Sequence, residues 1–349
     1  MNQITRRQFV SLAAAVGGSV LVGGLAGCTA KKDTPSPAPA APKDPDPLEL
    51  LAITGPQSPA TVLLARLAMD ERVKKTAKAV TFATVKNPDQ LRAAIAAKEA
   101  QVAAVPTNVA ATLYRRGVPL QLINVTVWGT LYVMTADDNI KTWADLKGRN
   151  VVVPLKGDIP DLVFRYLAGK NGLDLEKDVK PSYIGTTPEA MQLLLAGKAD
   201  AVVLAEPVNT AAEIQGQAKG IKVRAALDLQ AEWGKATGRP ARFPQVGTVA
   251  LTAVTKDHPE VAAAINDGLK AAVDWARANP AEAGTLGEQT LADLKSPVIQ
   301  KSLSRTPMEV VPAAAAREEL EFFFARLKEL SPEIIGGDLP DAAFYYGVK

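Results

Sequence analysis

The stretch LELLAITGPQSPATVLLARLAM, Leu48 to Met69, sets a pattern that the rest of the chain follows. Leu48–Thr54 is a short apolar run with the length and composition of a buried strand. Gly55-Pro56-Gln57-Ser58 breaks it. Ser58 followed by Pro59 reads as a helix N-cap with proline at the first helical position, where a missing N–H costs nothing. The helix behind it carries Val62, Leu63, Ala65, Leu67 and Met69. The unit then recurs. Ala79–Val85 reads as a strand, Asn87-Pro88 opens a helix with Leu91, Ala94 and Ile95, and Gln101–Val105 is a third strand. Strands alternating with helices predict a parallel or mixed sheet with helices on its faces.

The later chain carries the same alternation. Asn150–Val153 is a strand, and Asp158-Ile159-Pro160-Asp161 opens a helix that ends near Gly169 or Gly172. Lys180–Ile184 is a strand, Thr187-Pro188-Glu189 opens a helix ending at Gly197, and Ala199–Leu204 is a further strand. Pro88, Asp89, Leu91, Ala96 and Lys98 align with Pro188, Glu189, Met191, Ala196 and Lys198. An α/β unit therefore occurs early and again about 100 residues on, either by duplication or because alanine-rich helix–strand units resemble one another.

The segment ahead of the first strand has a different character. A basic head with Arg6 and Arg7 precedes an uncharged stretch from Gln8 to Gly27, which ends in Leu25-Ala26-Gly27-Cys28. A basic head, an apolar run and small residues before a cut describe a secretory signal over residues 1–27. A cysteine at the cut describes a lipoprotein whose mature chain begins at a lipidated Cys28. Thr5-Arg6-Arg7-Gln8-Phe9-Val10-Ser11 resembles a twin-arginine signal but lacks a lysine after the apolar pair, which leaves the general secretory route open. Residues 28–47 hold six prolines and read as an extended tether. The remaining 300 or so residues are many for a single core and favour two lobes.

The formal charge is +3, and both Arg6 and Arg7 lie in the leader. No basic block interleaved with aromatics is present, so nucleic acid is not an expected partner. The chain holds one cysteine and one histidine, His258. With Cys28 assigned to a lipid, no disulfide, thiol nucleophile or Cys-based metal site is expected. A lone histidine at a helix start lacks the partners that a triad or a zinc site needs. Gly169-Lys170-Asn171 and Gly197-Lys198-Ala199 lack the spacing of a phosphate loop. The expectation is a protein that is not an enzyme and has no cofactor and no metal.

Several passages together resemble a known family. They are Tyr132–Thr135, Trp143-Ala144-Asp145-Leu146-Lys147-Gly148-Arg149 with Val151-Val152-Val153-Pro154, Leu195-Ala196-Gly197-Lys198-Ala199-Asp200-Ala201, Glu206-Pro207, and His258-Pro259-Glu260-Val261 with Trp275 and Asn279-Pro280. In order and spacing they resemble periplasmic solute-binding proteins of ABC importers, of the nitrate, sulfonate, taurine and thiamine-precursor type. The resemblance covers most of residues 48–330. It implies an α/β fold, the type II periplasmic-binding-protein clamshell, with two Rossmann-like lobes joined by two crossovers. The crossovers fall near Gly129–Thr135 and Phe243–Val249. Lobe one is then 48–130 plus 248–349, and lobe two 131–247. The resemblance further implies a monomer that captures a small-molecule ligand, polar or anionic and nitrate-, sulfonate- or taurine-like, and delivers it to an ABC permease and its ATPase. The lipid would anchor it in the periplasm or on the outer face of the cytoplasmic membrane. The alternatives are a lipid-anchored sensor, a binder of a thiamine-type pyrimidine precursor, and, less favoured, a periplasmic enzyme on the same fold.

In open α/β sheets ligands bind outside the carboxyl ends of the strands, where helix N-termini present unpaired N–H groups. The loops at those ends nominate Gln57, Ser58, Thr107 and Asn108 from lobe one. They nominate Lys156, Asp158 and Glu206 from lobe two, with Trp128 and Thr130 at the hinge, where Trp128 would cover the ligand. Each has a plainer alternative. Ser58 and Asp158 cap helices, Thr107 and Asn108 cap the helix through Leu113, Lys156 is a solvated loop charge, and Trp128 belongs to the core. The acids among them suit a ligand with an amine or amidine group, and the helix starts with Lys156 suit an oxyanion.

Overall fold

Residues 46–348 are described by a computed structural model, apart from 57, 86, 87, 180, 292 and 293. The leader, Cys28 and most of the tether lie outside the described residues, as does Gln57. The strands are β1 (Leu51–Gly55), β2 (Val80–Thr84), β3 (Val102–Pro106), β4 (Leu120–Val127), β5 (Leu131–Thr135), β6 (Val151–Pro154), β7 (Ser182–Ile184), β8 (Ala201–Ala205), β9 (Arg224–Asp228), β10 (Val246–Leu251) and β11 (Met308–Pro312). They form two sheets, ordered β11-β4-β10-β3-β1-β2 and β7-β6-β8-β5-β9. The fold is the two-lobed α/β clamshell that the resemblance implies.

The two sheets share a plan. In the first, β1 pairs in parallel with β2 and β3, and β10 runs antiparallel to β3. In the second, β6 pairs in parallel with β7 and β8, and β5 runs antiparallel to β8. The helices Pro88–Ala96 and Thr187–Leu195, whose sequences align, each precede the third strand of their unit. β10 and β5, each antiparallel to both of its neighbours, are the strands that the chain enters on arriving from the other lobe. Each lobe is thus completed by a strand delivered across the boundary. The first crossing needs only residues 128–130, and the second runs through the helix Leu229–Thr237 and on to Gln245.

The central strands of both sheets are buried on two faces. All six residues of β10 are buried, as are all four of β6, which is why these strands read as continuous apolar runs rather than alternating ones. One apolar cluster extends from Leu51 and Val105 in the first lobe to Phe164 and Trp233 in the second. Its bridge is aromatic. Trp233 packs at 5.4 Å from Phe323 of the helix Ala313–Leu330, at 5.8 Å from Phe243 and at 5.3 Å from Tyr166. Phe243 stacks on Phe323 at 5.5 Å. Arg242 pins the second crossing to the same helix through two hydrogen bonds to Glu319. One seam between the lobes is therefore apolar and closely packed.

A second seam is ionic. Lys301 and Arg305 of the helix Ser296–Arg305, on the first lobe, donate to Glu213 of the helix Val208–Ala218, on the second, each at 2.8 Å. Among the described residues no helix is long and apolar enough to cross a membrane.

Candidate functional site

The sheet registers place the site. Val246, the first residue of β10, lies opposite both Pro106 and Val127, so β3 and β4 end at one edge of the first sheet. Leu131, the first residue of β5, lies opposite Ala205, the last of β8. Four peptide steps from Val127 to Leu131 can span at most about 14 Å. The carboxyl ends of the two parallel units therefore face each other across a narrow gap.

Asn108 crosses that gap. It is the second residue of the helix Thr107–Arg115 and is 3% exposed. Its Nδ2 donates to Asp158 Oδ1 at 2.9 Å, which joins the start of a first-lobe helix to the start of a second-lobe helix. The same Asp158 oxygen accepts the N–H of Ile159, so Asp158 caps its helix and bridges the lobes together. Thr107 is fully buried, but it does not cap: the N-cap position is Pro106, and Thr107 Oγ1 donates to the Pro244 carbonyl at 2.6 Å. Its N–H donates to the Gln245 carbonyl, which fastens β3 to the second crossing.

Thr130 is at the centre of the first crossing. Its carbonyl accepts the N–H of Glu206 and Nδ2 of Asn209, and its hydroxyl donates to Gln245 Oε1 at 3.2 Å. Gly129, beside it, has φ +92°. A Cβ there would lie 2.5 Å from Gln230 Cγ, and Gln230 Oε1 accepts the Leu131 N–H at 2.8 Å. Glycine is needed at this position both for the dihedral and for the close approach.

Glu206 follows β8, and its side chain is fully buried. Burial pushes its carboxyl above the usual range; a hydrogen bond with Thr210 and the Arg305 charge offset this only in part. Arg305 Nε lies 3.2 Å from Glu206 Oε1, close enough to pair but not aligned as a hydrogen bond. Glu206 Oε2 accepts the Thr210 N–H at 3.3 Å. Among the described residues, four buried side-chain polar atoms from these loops have no hydrogen-bond partner: Asn108 Oδ1, Glu206 Oε1, Asn209 Oδ1 and Thr210 Oγ1. Buried polar atoms in native proteins are nearly always satisfied, by protein or by ordered water, and this group lies where the helices Thr107–Arg115 and Val208–Ala218 begin.

Three of the nominated residues are placed differently. Trp128 does not cover the gap. It is 1% exposed, its Nε1 donates to the Glu309 carbonyl, and Arg242 lies 4.1 Å over its ring. With Arg242, Lys270, Arg277 and Met308 it lines a separate open groove of about 660 Å³. A tryptophan beside the first crossing could turn either way, and the apolar floor and carbonyl partner were on the outer side. Lys156 is exposed, and its ammonium lies 4.8 Å over the Tyr183 ring. Its loop is held by the buried Asp161, which accepts the Gly157 N–H at 2.8 Å and the Tyr183 hydroxyl at 3.0 Å. Burial and then Asp161 push the Tyr183 hydroxyl up to about 12. Ser58 occupies its N-cap position without making a cap hydrogen bond, and among the described residues its hydroxyl reaches only Thr61 Oγ1, at 3.5 Å.

Other residues enter the site unannounced. Asn209 and Thr210 are fully buried and follow Glu206 by three and four positions, one helical turn. Arg305 stands about 100 residues further along the chain and lies 5.8 Å from the Tyr132 ring centre. His258 begins the helix Pro259–Ala278 after β10, which runs away from the gap, so it sits at the far edge of the sheet. Among the described residues no cluster of three or more His, Cys, Asp or Glu side chains could hold a metal ion.

A family model described as NMT1/THI5 like matches residues 79–283. Curated protein sequences gave no match. Among solved structures, the chain is similar to an ABC transporter protein from Parabacteroides distasonis, at 25% identity and a TM-score of 0.72, over 86% of this chain and 100% of that one. It is also similar to the periplasmic aliphatic sulphonate binding protein SsuA from Escherichia coli, at 20% identity and a TM-score of 0.66, over 83% and 96% of the two chains. The periplasmic nitrate-binding protein NrtA from Synechocystis PCC 6803 matches at 13% identity and a TM-score of 0.59, over 84% and 82%. The last two likenesses are of fold.

Proposed function

Because the chain belongs to the NMT1/THI5-like family, whose model spans more than half of it, we propose that it is the solute-binding component of an ABC importer. It captures a small polar solute between its lobes and delivers it to a membrane permease driven by a cytoplasmic ATPase. The observation that carries this reading is the Asn108–Asp158 hydrogen bond, made across the gap beside buried, unpartnered polar atoms of both lobes. The ABC-transporter, sulphonate-binding and nitrate-binding proteins of like fold support the class of function.

The two seams give the motion its direction. The apolar seam of Trp233, Phe243 and Phe323 is costly to part, since each ring would expose a large apolar area. The contacts of Lys301 and Arg305 with Glu213 are partly exposed and cost little to separate in water, and opening there hydrates both Arg305 and Glu206 as they part. The lobes open at the ionic seam and pivot on the aromatic one. Solute that touches both lobes stabilises the closed form. Binding proceeds without turnover, with His258 remote from the gap and no other histidine in the chain. The leader and Cys28 support a periplasmic protein tethered by lipid. Thermal-shift and calorimetric screening of small solutes tests the reading. A solute at a hundredfold excess over Kd adds roughly 2.7 kcal/mol of stability. One-to-one binding is expected, and conversion of the bound solute to product would contradict the proposal.

A further inference from the structure

The unsatisfied atoms at the gap are not a random mixture of donors and acceptors. Asn108 Nδ2 faces Asp158 Oδ1, and Asn209 Nδ2 faces the Thr130 carbonyl. A carbonyl is an acceptor only, and so is an ionised carboxylate, so neither amide can be turned around without setting oxygen against oxygen. Both Oδ1 atoms are therefore left over as acceptors, and both are buried without a partner. Glu206 Oε1 is a third orphan acceptor when ionised. Thr210 Oγ1 is the only orphan of the four that can donate whatever the protonation state.

The charge at the same place points the same way. Among the described residues the one cation that reaches Glu206 is Arg305, and Arg305 is already shared with Glu213. Lys156, the other cation nominated for the site, lies over Tyr183 in an exposed loop. An oxyanion set against these side-chain atoms would meet two amide oxygens and a carboxylate; the N–H groups of the helix starts, not these side chains, are what suits an oxyanion. A group rich in N–H donors would complete all three acceptors. A buried acceptor left without a donor is penalised, so the wrong ligand chemistry is penalised several times over.

We infer that the solute is recognised through a nitrogen group that donates hydrogen bonds, a protonated amine or an amidine-like group, which Asn108, Asn209 and Glu206 accept together. This rests on the solute-binding reading above and sharpens it: an oxyanion, where the solute carries one, is held elsewhere in the gap. The burial that disfavours a charged Glu206 in the unliganded protein adds a consequence. A cationic solute restores the carboxylate, so binding releases protons wherever Glu206 is partly protonated beforehand.

The test is a matched panel followed by thermal shift and calorimetry. Nitrate and ethanesulfonate carry no N–H donor; taurine carries an ammonium and a sulfonate; agmatine and 4-aminopyrimidine carry only nitrogen donors; amino acids extend the panel. Stabilisation confined to donor-bearing solutes is expected, with Glu206→Gln weakening the best of them at least tenfold while the unliganded melting curve stays cooperative. Asn209→Ala is the second variant and is expected to weaken the same solute. Tight binding of nitrate or ethanesulfonate, with no response to the nitrogen-bearing probes, overturns the inference and leaves solute binding intact. Binding of a nitrogen-bearing probe that neither variant alters also overturns it. Absence of any response across the panel removes the solute-binding reading itself.

Discussion

Replacing Arg305 with alanine should destabilise the protein in a way that depends steeply on pH. Among the described residues Arg305 is the only cation within pairing distance of Glu206, whose side chain is fully buried. Removing one partner of a buried pair usually costs about 3–5 kcal/mol, because the other charge is stranded. Glu206 has an escape, which is to take up a proton. With an ordinary value of 4.5 for the unfolded chain, protonating it costs at most about 3.4 kcal/mol near pH 7 and about 0.7 kcal/mol near pH 5. The cheaper route wins, so these figures cap this part of the loss. The sign follows from linkage. A group whose folded pKa is raised contributes its full stability below the unfolded value and loses it as pH rises through the folded one. Arg305→Ala raises the folded value further, so the deficit against wild type is small near pH 5 and grows towards pH 7. The pair of Arg305 with Glu213 is partly exposed and adds under about 1 kcal/mol at either pH. Urea unfolding at both pH values measures the effect, and Glu206→Gln in the same chain should remove most of its pH dependence. An equal loss at both pH values, or no rescue by the second substitution, would refute the argument.

Phe323→Ala opens the aromatic seam between Trp233 and Phe243 and should cost about 3–5 kcal/mol, read as a lower urea midpoint. Gly129→Ala forces a side chain into positive φ against Gln230 and should lower stability by about 1–3 kcal/mol, read from the melting temperature. Asn108→Ala removes a hydrogen bond to a carboxylate that exists only when the lobes meet; solute affinity should fall about tenfold, by calorimetry, with little change in the unliganded protein. Cys28→Ala should abolish incorporation of labelled fatty acid into the exported protein, and persistent labelling would remove the lipid tether from the account.

The β-α units were legible because their signals are local. Ser58-Pro59, Asp158-Ile159-Pro160 and Thr187-Pro188 mark helix starts within four residues, and the helices begin at Pro59, Ile159 and Thr187. The antiparallel strand β10 was not legible as such, because a strand buried on both faces reads alike in either direction. Sheet order, and with it which strand ends face each other, is set by pairings more than 100 residues apart, such as Val246 with Val127. Thr107 shows the limit of cap reasoning. Its hydroxyl found the Pro244 carbonyl, 137 residues away, in preference to its own helix. Arg305 carried no signal at all, since a lone arginine near the end of a helix reads as solvated until Glu206 and Glu213 are seen beside it. Asn209 could have been found. Glu206 and Asn209 stand one helical turn apart at a strand end, on the face that helix geometry turns towards the gap.

The central claim is capture of a solute between the lobes at the carboxyl ends of β3 and β8. A crystal structure of the protein with a stabilising solute bound tests it most directly. The account predicts solute density in contact with Asn108 Oδ1 from the first lobe and with Asn209 Oδ1 and Glu206 from the second. Density in the groove lined by Trp128, Arg242 and Arg277, with Asn108 and Asn209 left untouched, would contradict it.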